Sequence, residues 1–185
     1  EVIMRILAVT QSGQIKGGAN RSFLDVLRRL RDEYGHSIVV LVPEKGEFTI
    51  ELEKMNMDYI IHKYYQTAFV SMGDVFDWYR HLKATKKCIS NYHIAKKIVN
   101  DMPTRSFDII YINDTTNTVG YYLANILDAP YVWHFRGYQK VIKKYMLSEK
   151  NFRLSKKGTI INISKAMFDY MRDVRKIPVE RMTVV

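Results

Sequence analysis

The chain has 185 residues, of which 47% are hydrophobic and 12% are aromatic, so it can bury the core of one domain and is not an intrinsically disordered chain. Its single cysteine, Cys88, excludes an internal disulfide and a cysteine-rich zinc site, and it favours a reducing compartment such as the cytoplasm. No apolar run approaches the roughly 20 residues of a membrane span, whereas the formal net charge of +10 predicts an anionic partner: nucleic acid, an acidic membrane surface or a phosphorylated ligand.

The predicted elements alternate between short apolar strands and helices whose apolar residues recur every three or four positions. In chain order they are a strand over 5–10, a helix over 19–34, a strand over 37–42, a helix over 48–55, a strand over 58–61, a helix over 72–102, a strand over 107–112, a helix over 115–127, a strand over 130–134, a helix over 138–152, a strand over 159–162, a helix over 164–174 with Ser164 as its N-cap, and a strand that begins at 182.

The predicted strands are continuous runs of Val, Ile and Leu rather than alternating patterns, which is typical of strands that are buried on both faces. With helices between them, they predict an α/β fold: a Rossmann-like, doubly wound, mostly parallel sheet with helices on both faces. Such sheets bind ligands at the carboxyl ends of their strands, so candidate site residues are expected there.

The loop after the first strand contains the paired glycines Gly17 and Gly18 directly before a helix. Glycines at this position let backbone N–H groups approach an anion, and Lys16 and Arg21 add positive charge. The alternative is a turn that needs glycine only for its φ angles. The spacing fits neither the Gly-x-Gly-x-x-Gly dinucleotide fingerprint nor a P-loop, although Glu44 after the second strand can imitate a ribose-binding acid.

Polar residues end two further strands. Asn113 and Asp114 follow the 107–112 strand, and Asp114 is interpreted either as an acceptor for a substrate hydroxyl or as the N-cap of the next helix. His134 and Arg136 end the 130–134 strand. His134 is either a functional group at the cleft or a structural histidine bonded to a backbone carbonyl, and Arg136 either pairs with a phosphate or stays on the surface.

The segment Gly17-Gly18-Ala19-Asn20-Arg21-Ser22-Phe23-Leu24 resembles the opening of the N-terminal domain of family 4 glycosyltransferases, which are retaining enzymes of the GT-B type. Asn20 stands where that family more often has an acid. Four later segments are similar to the family in the same order, although the histidine common at the end of the first is missing here: residues 107–114, 129–137, 160–167 and 181–185.

The resemblance implies that the intact enzyme transfers a sugar from a nucleotide-sugar to a saccharide or lipid-linked acceptor in surface polysaccharide or glycoconjugate synthesis. Residues 1–185 would be the acceptor-side domain, with a nucleotide-sugar domain expected beyond Val185. It also implies that His134 lies near the reacting sugar and that neither a metal nor a cofactor is needed besides the donor. The substrate-binding residues implied or proposed from position are Gly17, Gly18, Asn20, Arg21, Asn113, Asp114 and Arg136.

Two basic stretches, residues 80–97 and 140–157, interleave lysines and arginines with apolar and aromatic side chains. Each is interpreted either as a solvated helix face or as a surface for an anionic bilayer, at the inner face of the cell membrane. No nucleic-acid-binding module is recognised. The second functional hypothesis is a non-enzymatic phosphate- or nucleotide-binding α/β module, or a basic nucleic-acid binder.

Overall fold

The computed structural model describes residues 2–15, 17–67, 73, 75–136 and 157–185. Seven strands in these ranges form one sheet in the order β3-β2-β1-β4-β5-β6-β7, and every neighbouring pair is parallel. This confirms the predicted fold class. The strands are β1 (Arg5–Val9), β2 (Ser37–Val42), β3 (Asp58–Ile61), β4 (Ile109–Asn113), β5 (Tyr131–Phe135), β6 (Gly158–Asn162) and β7 (Met182–Val184).

Five α-helices lie in the described ranges, and a short 3₁₀ turn, Val179–Arg181, precedes β7. Ser164 caps the last α-helix as predicted, because its Oγ accepts a hydrogen bond from the Met167 amide at 3.2 Å. The predicted helix over 138–152 lies outside the described residues, as does residue range 140–156 of the second basic stretch. The helices are α1 (Gly18–Asp32), α2 (Glu47–Lys54), α3 (Asp77–Asp101), α4 (Thr118–Ile126) and α5 (Lys165–Asp173).

Each face of the sheet is covered by its own group of helices. Alternate strand residues point to opposite faces, so Ile6 and Ala8 pack with α1 and α2, whereas Leu7 and Val9 pack in the cluster that contains α3, α4 and α5. The chain moves from β1 to β2 on one side and returns from β3 to β4 on the other. The strand order therefore reverses between β1 and β4, which is where a doubly wound sheet opens a ligand crevice.

A buried polar patch fixes α3 against the rest of the domain. The Asn91 side chain accepts from the Tyr65 amide at 2.9 Å, and its Nδ2 donates to the Tyr65 carbonyl at 2.7 Å and to Thr118 Oγ1 at 3.0 Å. The Cys88 thiol lies one turn earlier, near Thr67 and Thr118, and burial raises its pKa. These contacts hold residues 62–67, which follow β3, between α3 and the start of α4.

Candidate functional site

The ends of β1 and β4 are joined by one side chain, that of Asn117. Its Nδ2 donates to the carbonyls of Val9 at 3.0 Å, Thr10 at 2.9 Å and Asn113 at 3.2 Å. Asn117 is also the N-cap residue of α4. This one side-chain amide therefore links the ends of β1 and β4, where the strand order reverses. It holds the backbone at the base of the candidate site.

The loop after β1 is packed tightly at a glycine that the sequence did not single out. The Gly13 carbonyl accepts from the Phe48 amide at 2.9 Å, and a Cβ added to Gly13 would lie 2.3 Å from the Glu44 carbonyl oxygen. A Cβ on Gly46 would lie 2.4 Å from the Gly13 oxygen. This close approach seats the loop on the start of α2, and it brings Glu44 into a packing contact.

Gly17 and Gly18 stand in open space at the start of α1. Gly17 has φ 81°, a left-handed conformation that glycine adopts readily, whereas Gly18 is the first residue of α1 and has no positive φ. No side chain caps α1, and no acidic residue lies in its first turn. Arg21 is exposed on that helix. The start of α1 therefore presents free backbone N–H groups, and the positive end of the helix dipole, to the edge of the site.

Asn20 and Asn113 form a buried pair that links α1 to β4. Asn113 Nδ2 donates to Asn20 Oδ1 at 3.1 Å, and Asn20 Nδ2 donates to the Gln14 carbonyl at 2.7 Å and the Ser12 carbonyl at 3.4 Å. Both residues are about fully buried. The two predicted site residues are therefore brought together, and Asn20 holds the glycine-containing loop.

Asp114 occupies a strained turn on the other side of β4. Its φ of 72° lies in the left-handed region, which is uncommon for a residue other than glycine. Its Oδ1 accepts from the Thr116 amide and hydroxyl, both at 3.0 Å. The N-cap interpretation of Asp114 was wrong, because its carboxylate closes a local turn and α4 begins three residues later than predicted.

His134 faces α1 and is paired with a tyrosine. Its Nδ1 lies 3.0 Å from the Tyr111 hydroxyl, and the two rings are stacked at 8° with centroids 6.3 Å apart. The Nε2 atom is buried and has no partner among the described residues. Burial lowers the pKa of His134 to about 4, and the Arg136 charge adds to this effect. A structural histidine bonded to a backbone carbonyl is thus not what the described residues show: His134 is a neutral imidazole on a hydroxyl.

Arg136 is half-buried rather than on the surface, so its surface interpretation was wrong. Its Nη1 donates to Ser22 Oγ on α1. Burial raises the pKa of Tyr111, and the positive charge of Arg136 opposes that rise. Nε and Nη2 of Arg136 are buried without a partner in the described part of the chain. The guanidinium is therefore held beside His134, with Nε and Nη2 unpaired within the described residues.

Tyr111, Ser22 and Asn117 are the site residues that sequence reasoning missed. Tyr111 lies two residues before Asn113, so strand alternation already places both on one face. Ser22 lies one turn after Gly18 on α1. A search of the same strand face and the next helix turn would have found both, whereas the three contacts of Asn117 depend on the tertiary fold.

No family model matches the chain, and no curated protein sequence matches it. Solved glycosyltransferase structures do match. HepE from Anabaena, in complex with UDP-glucose, is 21% identical over 98% of this chain and 43% of its own, with a TM-score of 0.61. A glycosyltransferase from Rickettsia africae is 16% identical over 99% of this chain and 42% of its own, with a TM-score of 0.62. Arabidopsis thaliana UGT89C1, complexed with UDP, is 11% identical over 100% of this chain and 49% of its own, with a TM-score of 0.61.

The chain therefore has the fold of a GT-B glycosyltransferase domain, with a Rossmann-like parallel sheet. It spans less than half the length of these neighbours. Within the described ranges, no three His, Cys, Asp or Glu side chains are grouped as a metal site would require. None of the helices in the part of the chain that the structure describes is long and apolar enough to cross a membrane.

Proposed function

We propose that this chain is the acceptor-side domain of a retaining, family 4-like glycosyltransferase. The intact enzyme would transfer a sugar from a nucleotide-sugar to a saccharide or lipid-linked acceptor in surface polysaccharide or glycoconjugate synthesis. The observation that carries the proposal is the neutral His134 beside the half-buried Arg136, at the carboxyl edge of a sheet that glycosyltransferases share. A second, nucleotide-sugar domain completes the donor site in this proposal.

The charge at the site suits the leaving group of such a reaction. Sugar transfer releases a nucleoside diphosphate. Negative charge therefore develops on its phosphate oxygens as the bond between the sugar and the diphosphate breaks. The uncapped start of α1 at Gly17 and Gly18, together with Arg21, offers backbone and side-chain donors to this diphosphate. Because these groups offset the charge, the proposal needs neither a metal ion nor a cofactor.

His134 and Arg136 have separate tasks in the proposal. A neutral imidazole can donate or accept a hydrogen bond to a sugar hydroxyl without adding charge. The planar guanidinium of Arg136 has donors left for an anionic or hydroxyl group of the substrate, while Ser22 fixes its position. Asp114 is proposed to accept a hydroxyl of the acceptor, and Asn20 and Asn113 keep the loop and β4 in register.

The enzyme is proposed to work in the cytoplasm, in peripheral contact with the inner face of the cell membrane. Arg80 to Lys97 supplies positive charge along α3, and no nucleic acid is expected as a partner. UDP-sugars are the first donors to test, because HepE and UGT89C1 were solved with UDP-glucose and UDP.

The test measures the release of nucleoside diphosphate by the full-length protein. UDP-sugars and GDP-mannose are supplied in turn as donors. We expect His134→Ala and Arg136→Gln to lower turnover by about 100-fold or more, with unchanged circular dichroism. The matched control is His93→Ala, because His93 is exposed on α3. Full turnover in His134→Ala and Arg136→Gln would remove these residues from the mechanism, and nucleotide binding without turnover would favour the non-enzymatic binding module.

A further inference from the structure

The hydroxyl of Tyr111 contacts one particular nitrogen of the His134 ring. In the register of β4 and β5, Asn113 lies opposite His134, and Tyr111 lies two residues before Asn113, so all three side chains share one face of the sheet. The hydroxyl oxygen lies 3.0 Å from Nδ1. Both residues are buried. In such a site a polar hydrogen without an acceptor costs more than it does in water, so the direction of this hydrogen bond matters.

The ring of Tyr111 is held in place by its apolar neighbours. Phe23 of α1, which is fully buried, meets it edge to face, with the ring centroids 5.2 Å apart and the planes at 85°. Tyr111 belongs to the buried cluster on this face of the sheet. Because the phenol oxygen lies in the plane of its ring, a fixed ring keeps the oxygen beside Nδ1. Within the described residues, the hydroxyl has no other hydrogen-bond partner.

The chemistry of the two groups determines which of them donates. A phenol O–H is a stronger acid than the N–H of a neutral imidazole, and the bare ring nitrogen is a stronger base than a phenol oxygen. Burial raises the pKa of Tyr111, so its hydroxyl keeps its proton. If Nδ1–H donated instead, the hydroxyl hydrogen would have no acceptor in the part of the chain that the structure describes. The Tyr111 hydroxyl therefore donates and Nδ1 accepts.

The charge of Arg136 favours the same direction. It opposes the rise in the pKa of Tyr111, and it adds to the effect of burial in lowering the pKa of His134, so it acts on both groups. A cation near the pair attracts the lone pairs of the phenol oxygen and repels its hydrogen. The hydrogen is therefore more stable on the side of the oxygen that faces His134.

We propose that Tyr111 is a positioning residue that holds His134 in the tautomer with its proton on Nε2. A neutral imidazole carries one ring proton, and Nδ1 is occupied as an acceptor, which leaves Nε2 as the protonated nitrogen. Nε2 is buried and has no partner among the described residues. His134 then offers an N–H donor at this atom and cannot accept a proton there.

This tautomer specifies the task of His134 in the transferase reaction. Nε2–H donates a hydrogen bond to an oxygen of the substrate, and a group other than His134 receives the proton of the attacking hydroxyl. That consequence rests on the proposed function, whereas the tautomer itself rests on the contacts of Tyr111.

Nitrogen NMR at pH 7 tests the tautomer in the full-length protein, with its histidine rings labelled with ¹⁵N. Nε2 couples to both carbon-bound hydrogens of the ring, whereas Nδ1 couples strongly to only one, so the two nitrogens are distinguished within each ring. The spectrum of His134→Gln identifies the signals of His134 by their absence. We expect Nε2 to carry the proton in the wild-type protein. A protonated Nδ1 would overturn the proposal.

Tyr111→Phe tests whether the hydroxyl holds this tautomer. We expect the Nδ1 signal of His134 to move toward that of a nitrogen without a hydrogen bond, and the averaged signals to show both tautomers. The matched control is Tyr34→Phe, which removes the hydroxyl of an exposed tyrosine and should leave the His134 signals unchanged. Identical His134 signals in the wild-type protein and in Tyr111→Phe would also refute the role of Tyr111.

The transferase assay separates this inference from the proposed function. In an active enzyme, we expect Tyr111→Phe to lower kcat by about threefold to tenfold, and Tyr34→Phe to leave it unchanged. An enzyme in which Tyr111→Phe shows both tautomers but full kcat would contradict the task given to Nε2–H. Absence of turnover in the wild-type protein would refute the proposed function, and the NMR spectrum would still decide the tautomer.

Discussion

At the scale of single residues, the side chain of Asn20 shows why an amide suits this position. Its Nδ2 points at two backbone carbonyls, those of Gln14 and Ser12, and its Oδ1 accepts from Asn113. An aspartate at position 20 would place a charged oxygen against these two carbonyl oxygens. The asparagine therefore follows from the path of this chain's own loop.

Asn20→Asp is expected to destabilise the domain by roughly 2 to 4 kcal/mol at neutral pH, because a buried carboxylate would face carbonyl oxygens. The loss should shrink below pH 5, where a protonated carboxyl can donate. Urea unfolding at two pH values measures this. Asn100→Asp is the control, since Asn100 is exposed and its oxygen already accepts from Arg105 at 3.3 Å. A stable Asn20→Asp protein at pH 7 would contradict the assigned hydrogen bonds.

The hydroxyl of Tyr111 is expected to contribute to stability through His134. Tyr111→Phe leaves the imidazole Nδ1 without its partner in a buried site, and such a loss costs roughly 1 to 3 kcal/mol. The control is Tyr34→Phe, because Tyr34 is 52% exposed. Chemical denaturation compares the two variants. Equal stabilities would mean that the 3.0 Å contact between Tyr111 and His134 carries no net free energy.

His134 gives the stability of the domain a defined dependence on pH. Its pKa is lowered from 6.5 to about 4, so between these values the unfolded chain binds a proton that the folded one does not. The free energy of unfolding therefore falls as pH drops from 6.5 to 4, by up to about 1.4 kcal/mol per unit. Unfolding at pH 7 and pH 5 should show a difference roughly 1 to 2 kcal/mol smaller in His134→Gln. His93→Gln should keep the wild-type difference; the same slope in both variants would rule out His134 as its source.

At this scale the sequence located polar groups but not their partners. Asn113, Asp114, His134 and Arg136 were found because polar residues that end apolar strands stand out. Strand and helix periodicity place Tyr111 and Ser22 near the site, but they do not say which atoms of His134 and Arg136 these residues bond. The contacts that join them are made across 23 and 114 positions of sequence.

At the scale of elements, the loop after β1 depends on contact between two glycines that precede α1 and α2. The Gly13 carbonyl accepts from the Phe48 amide, and it occupies the space that a Cβ on Gly46 would need. Residues larger than glycine at positions 13 and 46 would separate the loop from α2. By contrast, a Cβ added to Gly17 or Gly18, the glycines predicted to lie in the site, would have no atom within 4 Å.

Gly13→Ala is expected to destabilise the domain by roughly 1 to 3 kcal/mol, because the new Cβ would overlap backbone atoms that cannot move independently. Gly18→Ala is the matched control, since a Cβ there has no atom within 4 Å. It should leave stability unchanged or raise it by a few tenths of a kcal/mol, since alanine favours helix. Thermal unfolding of both variants is the measurement. Equal melting temperatures would contradict the tight packing at Gly13.

Strands were easier to predict than the starts of helices. Continuous runs of Val and Ile leave few alternatives in an α/β chain, and all seven predicted strands are present. The start of α4 was predicted at residue 115 but lies at Thr118, because Asp114 closes a local turn with Thr116. That turn competes with the helix for the same backbone amides, and the choice between them depends on the tertiary contacts of Asn117.

At the scale of the whole molecule, stability is expected to be highest in the middle of the sheet. β1, β4 and β5 are paired on both sides and buried on both faces, whereas β3 and β7 are edge strands in the described sheet. Amide hydrogen exchange should therefore be slowest in β1, β4 and β5 and faster in β3 and β7. Equal protection of β3 and β1 would indicate that β3 has a further partner.

Cys88 has a practical consequence for studies of this domain. It is the sole thiol in the chain, and it is buried between α3 and α4 with 6% exposure. A maleimide reagent can reach it only when the two helices separate, so the labelling rate reports how often that occurs. The native protein therefore carries its own probe for the rate at which α3 and α4 separate. The effect of vesicles or nucleotides on that motion can be timed without introducing a label.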